Sequence, residues 1–475
     1  MRKWRGRLIA LGVALAVLVP LAYLWATSLV PDNYSAMDLG YADHGGGPSM
    51  EHMHHGGTSV ADLTGPQTGK PEVTVTLIAR KQKFTLASGE AVDGFTLNGS
   101  SPGPLIQAKQ GDLVEVTLVN ESVPDGATLH WHGIDVPNAE DGVAGVTQDA
   151  VPVGGKHVYR FKAEDQGTYW YHSHQVSSEE VRDGLFGSIV IGGAKDDVVA
   201  AIHTYNGKRT INGRTGQQRL DVAAGKKIRI RVVNTDNTLV RAGLVGAEYK
   251  VVAVDGRDVH DPTPTRAAFP LAAGARVDLE AVVPTAGALK LEAGTATVLI
   301  GEGNPSGSLP SATVDLLTYG TPAPLGLDPA KADRRFEYRI GRTAGFLDGV
   351  PGLWWTINGH KFPDVPMFMV AEGDVVVMTI SNSSGQAHPM HLHGHHAVVL
   401  SRNGVAASGS PWWIDTLEVG DKESYELAFV ADNPGIWMDH CHNLPHASEG
   451  LMTHLACEGV STPYRVGGDS HNQPE

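Results

Sequence analysis

Three stretches of this chain, 113–120, 227–234 and 375–382, alternate apolar and polar residues at period two and close on an asparagine. Successive side chains of a strand face opposite ways, so this alternation predicts a half-buried strand in each. A glycine turn precedes each one: Gln110-Gly111-Asp112, Ala224-Gly225-Lys226 and Glu372-Gly373-Asp374. The turn glycine stands nine residues before the terminal Asn120, Asn234 or Asn382 every time. Upstream, the same blocks open on Thr96-Leu97-Asn98-Gly99, Thr210-Ile211-Asn212-Gly213 and Thr356-Ile357-Asn358-Gly359. A pattern that returns three times implies three copies of one β-sandwich module. Gly, Pro and Asp runs near Ala194 and Pro324 mark the boundaries, which gives modules at 72–195, 196–324 and 325–465 and a tail at 466–475.

The N-terminal region breaks the alternation. Residues 8–30 form an uncharged apolar run behind Arg2, Lys3, Arg5 and Arg7, long enough to cross a bilayer as a helix. The positive flank stays in the cytoplasm, so the body is expected to be extracytoplasmic. Tyr23 and Trp25 suit the membrane interface. A cleaved signal peptide is the competing reading, but the run is long for one and no clear Ala-x-Ala site follows, so an uncleaved anchor over 1–34 is favoured. Residues 35–71 are Gly-rich and polar, with His44, Met50, His52, Met53, His54 and His55 among them. That composition predicts a flexible linker, either inert or able to collect soft metal ions through its imidazoles and thioethers.

Composition narrows the class. At 475 residues the chain has room for about three domains, and 57 Gly with 28 Pro fits many turns between short strands. A formal net charge of −15 argues against nucleic acid as a partner. There are two cysteines, Cys441 and Cys457, so a Cys441 to Cys457 disulfide has to be weighed against a metal-binding Cys441 beside a buried apolar Cys457.

The chemistry lies in four histidine segments: His130-Trp131-His132-Gly133, His172-Ser173-His174, His388-Pro389-Met390-His391-Leu392-His393-Gly394 and His440-Cys441-His442. On a strand, His-x-His puts both imidazoles on one face, close enough to share a metal cluster. Within His440-Cys441-His442 the thiolate then points to the opposite face, where His446 follows five residues on. One Cys and two His are the ligand types of a blue-copper centre. Two metal sites would thus flank one short backbone, joined through the sulfur. The middle module has Ala242, Gly243 and Leu244 where the outer two have histidines, and is expected to act as a spacer. Ligands from the first and third modules must then meet across an interface.

With all four segments present and in order, the chain resembles the multicopper oxidase family, bacterial three-domain laccase-like, over residues 72–465. The resemblance implies an all-β fold of three consecutive cupredoxin-like Greek-key sandwiches and four copper ions. By the same resemblance His388, Cys441 and His446 match the type 1 copper ligands, with Leu451 at the axial position and the adjacent Met452 directed elsewhere. His130 and His391 match the type 2 site, and His132, His172, His174, His393, His440 and His442 the type 3 pair. Asp141 stands where similar family members carry an acid beside the type 2 copper, as proton relay or partner of a ligand; alternatively it is a turn aspartate before Gly142. Glu449 is a weaker candidate, because many relatives have the acid where this chain has Ala447.

The implied reaction is one-electron oxidation of a donor at the type 1 copper, coupled to reduction of dioxygen to water. Trp412 and Trp413 are candidates for the donor site or for packing. No Met-rich insert interrupts the third module, which favours phenolic or aromatic donors over cuprous or manganous ions. Two other classes fit the ligand set less well. A copper nitrite reductase has two modules and no type 3 pair, and a copper carrier or structural envelope protein needs no complete ligand set. Three modules already join the two halves of the cluster, so a monomer suffices.

Overall fold

The computed structural model describes residues 2–48 and 57–475. Each expected alternating strand forms with the expected limits: Leu113–Asn120, Lys227–Asn234 and Val375–Asn382. Each sits third in a strand order that recurs in every module: Ala91–Leu97, Val73–Thr85, Leu113–Asn120, Lys156–Lys162 in the first, and its counterparts in the second and third. The repeat extends to single hydrogen bonds. Asn98, Asn212 and Asn358 all take a left-handed φ, between 53° and 54°, which asparagine tolerates better than most residues. Their side chains each clamp the neighbouring strand, as when Asn98 accepts from the Ile78 N–H and donates to the Thr76 carbonyl. Asn212 and Asn358 repeat the pair on Ala201 and Val199, and on Arg339 and Glu337.

A second sheet packs on the first in each module, and the inward residues of both form three separate cores. Leu77, Val114, Leu118, Trp131 and Tyr159 fill the first of these and are fully buried. Burying a large apolar side chain of this kind contributes roughly 1.5–3 kcal/mol. The molecule is therefore an all-β assembly of three consecutive cupredoxin-like sandwiches behind an N-terminal apolar helix, Arg2–Ala26.

Two expectations need correction. The segment 35–71 is not a flexible linker where it is described. Tyr41–Asp43 pairs with Pro366–Val370, Thr58–Ser59 pairs with Val460–Ser461, and Ala36 and Val60 are buried in the core of the third module. The physical reason is that sheet edges offer unpaired backbone groups to any extended chain, whatever its side chains. His44 is held to Glu458 at 3.1 Å, whereas Met50, His52, Met53, His54 and His55 lie outside the described residues. Nor are residues 466–475 a loose tail. Val466–Gly467 pairs with Asn33–Tyr34, and the Gln473 carbonyl accepts from the Val176 N–H beside the His172-Ser173-His174 segment. Both cysteines are free and buried, so the disulfide alternative falls.

Candidate metal centre

Strand alternation sets each ligand's direction. His130–His132 pairs with Gly167–His172, bringing His130 opposite His172, while Trp131 points back into the first core. In the third module His388–Leu392 pairs with Ile436–Cys441, with Met390 opposite Cys441 and His391 opposite His440. His391 and His440 therefore face the first module while His388 and Cys441 face the third core. The interface between the outer modules closes on His130, His132, His391; His132, His172, His442; His174, His393, His440; and His130, Asp141, His393, while His388, Cys441 and His446 gather inside the third module; within each group the ligand atoms lie within 4.8 Å of one another. All ten histidines and the cysteine singled out from the sequence enter these groups.

The rings are packed as tightly as a shared metal cluster requires. His130 Nε2 lies 3.4 Å from His391 Nε2, and His393 Nε2 lies 3.2 Å from His440 Nε2. Burial, followed by repulsion from neighbouring imidazoles, drives His132, His172, His393 and His442 well below the ordinary histidine range. Burial also takes His174 and His440 down to about 3. These rings are neutral at pH 7, with a lone pair free. His132 Nδ1, His172 Nε2, His174 Nε2 and both nitrogens of His442 have no hydrogen-bond partner. Leaving so many buried nitrogens unpaired is costly unless a cation takes the lone pairs, so the residues present fit metal.

The opposite ring nitrogens, those of His440 and His442 apart, are held by hydrogen bonds from the protein. Asp141 accepts from His130 Nδ1 at 3.1 Å and from His393 Nδ1 at 3.0 Å. The His174 Nδ1–H donates to the Pro474 carbonyl at 3.0 Å, and Glu475 Oε1 lies 2.9 Å from His440 Nδ1. Asp415 Oδ1 is 3.2 Å from His132 Nε2 and 3.5 Å from His391 Nδ1. Asp415 is in turn clamped by both terminal nitrogens of Arg276 at 2.6 Å, and Asp255 lies 3.5 Å from the same guanidinium. Burial alone would raise Asp415, but Arg276 and the imidazoles hold it well below the usual carboxylate range. Burial and the neighbouring Asp415 push Asp255 up to about 7.

Arg276 and Asp255 belong to the middle module, which thus supplies no ligand yet is more than a spacer. Its Gly274, at φ +85°, presses so close that a Cβ there would lie 2.9 Å from His442 Cγ and 3.0 Å from His132 Cε1. Sequence reasoning missed Arg276, Asp255, Asp415 and Glu475. The only local signal was a charged residue at an otherwise apolar strand position, as with Arg276 before Val277.

On the other side of the Cys441 strand, Cys441 Sγ lies 3.6 Å from His388 Nδ1 and 3.7 Å from His446 Nδ1. The outer nitrogens are fixed by Ser384 Oγ on His388 at 2.8 Å and by Asn443 Nδ2 on His446 at 3.1 Å. Burial raises the Cys441 thiol well above its ordinary value, and a bound cation is what would reverse this. Leu451 is fully buried, and its carbonyl accepts from the Cys441 N–H at 3.1 Å. The aromatic residue touching these histidines is Trp355, with ring centroids 4.7 Å from His388 and 4.5 Å from His446. Trp412 instead packs between the second and third cores, and Trp413 pairs with Val398. Glu449 is exposed and accepts from Trp355 Nε1 at 2.8 Å, which puts it on the thiolate side rather than beside the cluster.

Eight buried imidazoles gathered next to a Cys-His-His site, on three sandwiches, form the donor set of a copper protein. Two family signatures described as multicopper oxidase match residues 79–196 and 334–458, together just over half of the chain. Multicopper oxidase MmcO of Mycobacterium tuberculosis is 27% identical over 471 residues, covering 83% of this chain and 89% of that protein. Laccase-1 of Botryotinia fuckeliana is 28% identical, covering 82% of each. The crystal structure of a multi-copper oxidase from Pseudomonas thermotolerans superposes with a TM-score of 0.67 at 29% identity, over 81% of this chain and 98% of that one. The chain belongs to the multicopper oxidase family, copper-dependent oxidoreductases that use dioxygen.

Proposed function

We propose that this protein is a laccase-like oxidase holding four copper ions. His388, Cys441 and His446 would hold the type 1 ion, with Leu451 the residue that stands where some relatives offer a further donor; His130 and His391 would hold the type 2 ion, and His132, His172, His174, His393, His440 and His442 the type 3 pair. The observation that carries this reading is the set of partnerless buried ring nitrogens on histidines grouped within 4.8 Å of one another. When bound, copper supplies one-electron redox at the thiolate site and four-electron reduction of dioxygen to water at the cluster. Cys441 joins the two sites because its neighbours His440 and His442 enter the two type 3 groups. Asp141 fixes the rings of His130 and His393, and sits where protons must arrive for water formation. An aliphatic Leu451 cannot bond copper, which favours a higher reduction potential than methionine would.

The donor is taken to be phenolic or aromatic, in keeping with the laccases among the relatives. Retention of the N-terminal helix as an anchor is supported by the residues just behind it: Ser28 and Ala36 are buried and Asn33–Tyr34 pairs with the end of the chain. The modules are taken as 72–195, 196–324 and 325–465. Copper analysis, the visible spectrum and oxygen uptake with a phenol, Cu(I) and Mn(II) test the reading. About four coppers, strong blue colour and near-ultraviolet absorption with fastest uptake on the phenol are expected. One or two coppers would leave a carrier, and uptake on a metal ion alone would leave a metallo-oxidase.

A further inference from the structure

The N-terminal helix and the thiolate site meet on one hairpin. Trp4–Ala26 is long and apolar enough to cross a bilayer and is exposed along its length; burial begins at Ser28. There the Ser28 carbonyl accepts from the Asp348 N–H at 2.8 Å, and Ser28 Oγ accepts from the Gly349 N–H at 3.1 Å. Gly349, at φ +72°, lies so close to the helix that a Cβ would stand 2.7 Å from Trp25 Nε1. Asp348 and Gly349 are the tip of the hairpin formed by Arg334–Leu347 and Val350–Ile357. Next to the tip, Leu347 reaches the loop carrying the thiolate-site ligands: a Cβ on Gly450 would lie 3.7 Å from Leu347 Cδ2 and 2.7 Å from Phe362 Cβ. Phe362 also packs near Tyr34, just behind the helix, at 6.4 Å between ring centroids. At the far end of the same hairpin Trp355 touches both His388 and His446. From Val350 to Trp355 is five residues of strand, roughly 17 Å.

A bilayer holding this helix would have its surface near Tyr23 and Trp25, because such rings settle at the headgroup level. The hairpin tip and the thiolate site are then the part of the body next to lipid. Val350 and Leu353, 54% and 51% exposed, are unpartnered apolar groups on that hairpin. An open cleft of about 850 Å³ lies at this end between Val30, Tyr34, Asp348 and Gly467.

Resting on the oxidase reading above, we propose that the electron donor is a lipid-soluble hydroquinone, delivered from the outer leaflet to the His388-Cys441-His446 site along the hairpin 334–357. The balance closes. Two hydroquinones lose four electrons and four protons from their ring hydroxyls and leave as quinones. One dioxygen takes up the same electrons and protons, its O–O bond breaks, and two waters form. A hydroquinone with a long tail stays in the bilayer, so only a site beside the lipid can reach its ring, and with the helix in the bilayer the hairpin it meets leads to the site.

The test uses the full chain, loaded with copper and reconstituted in phosphatidylcholine vesicles. It receives either a decyl-tailed hydroquinone dissolved in the lipid or plain hydroquinone in water, and quinone formation is followed for each. The tailed donor is expected to be oxidised faster. The double variant Val350→Glu, Leu353→Glu should lower the ratio of tailed to plain rates about tenfold while the blue absorption persists. Independently of turnover, a bimane label on Leu353→Cys should be quenched by brominated phosphatidylcholine. Oxidation of plain hydroquinone alone, an unchanged ratio in the double variant, or a label quenched only by aqueous iodide would overturn the membrane donor and leave the oxidase standing. Failure on both donors by copper-loaded protein would remove the oxidase reading as well.

Discussion

At the scale of single residues, the site depends on a thiolate and on the groups that hold imidazoles still. Cys441→Ser should abolish the blue absorption and donor oxidation, with little change in thermal stability, because serine nearly matches the buried volume but is a poor ligand for copper. A serine variant that turned over donor at the normal rate would refute the route through the sulfur. Arg276 is the second test. Its fork joins Asp415 at 2.6 Å and leaves Asp255 only 3.5 Å away, all three fully buried. Arg276→Met removes the cation between two carboxylates, and stranding a buried charge costs about 3–5 kcal/mol. Asp415 lies against His132 and His391, so the loss should also appear as a weakened type 2 copper signal in electron paramagnetic resonance, with the blue band retained. Full type 2 occupancy in that variant would show that Asp415 needs no clamp.

At the scale of elements, the polar segment ahead of the first module behaves as added sheet edges. Its short strands at Tyr41–Asp43 and Thr58–Ser59 carry few side-chain contacts, but Ala36 and Val60 drop into the core of the third module. Val60→Asp should therefore destabilise the protein by about 3 kcal/mol or more in urea unfolding, the scale of an unpaired buried charge. A free tether would tolerate the change, and an unshifted midpoint would argue for one. The C-terminal stretch is used in the same way: extended chain pinned by backbone bonds, with the Pro474 carbonyl and Glu475 delivered to His174 and His440.

At the scale of the whole molecule, the modules are coupled through interfaces that hold titratable groups. Glu418 lines a cleft of about 220 Å³ between the second and third modules, with Phe269 and Leu316 on one side and Trp412 and Leu417 on the other. Burial, and then Glu423, push Glu418 up to about 7 from an ordinary value of 4.5. An acid whose folded value is raised favours folding fully below its unfolded value and loses that contribution as pH climbs through the folded one. Between pH 4.5 and 7 the wild type should thus lose stability that Glu418→Gln keeps. Urea midpoints measured across that interval check it, and parallel curves for the two proteins would count against a protonated Glu418.

The repeat and the candidate ligands were legible in the chain because both are short-range. A strand's limits follow from alternation and its turn glycine, as at Leu113–Asn120, and His-x-His or Cys between two histidines aims its donors by the same alternation. Burial depth and partner identity are not short-range. Asp415 meets Arg276 from 139 residues away, Glu475 reaches His174 from about 300 residues on, and Asp348 holds Ser28 from about 320 residues on. No local pattern marks such pairs, because each is set by how sheets stack and which edges remain open. The residues alone determined which atoms could bind metal; only the tertiary packing decided what steadies those atoms and which hairpin the N-terminal helix meets.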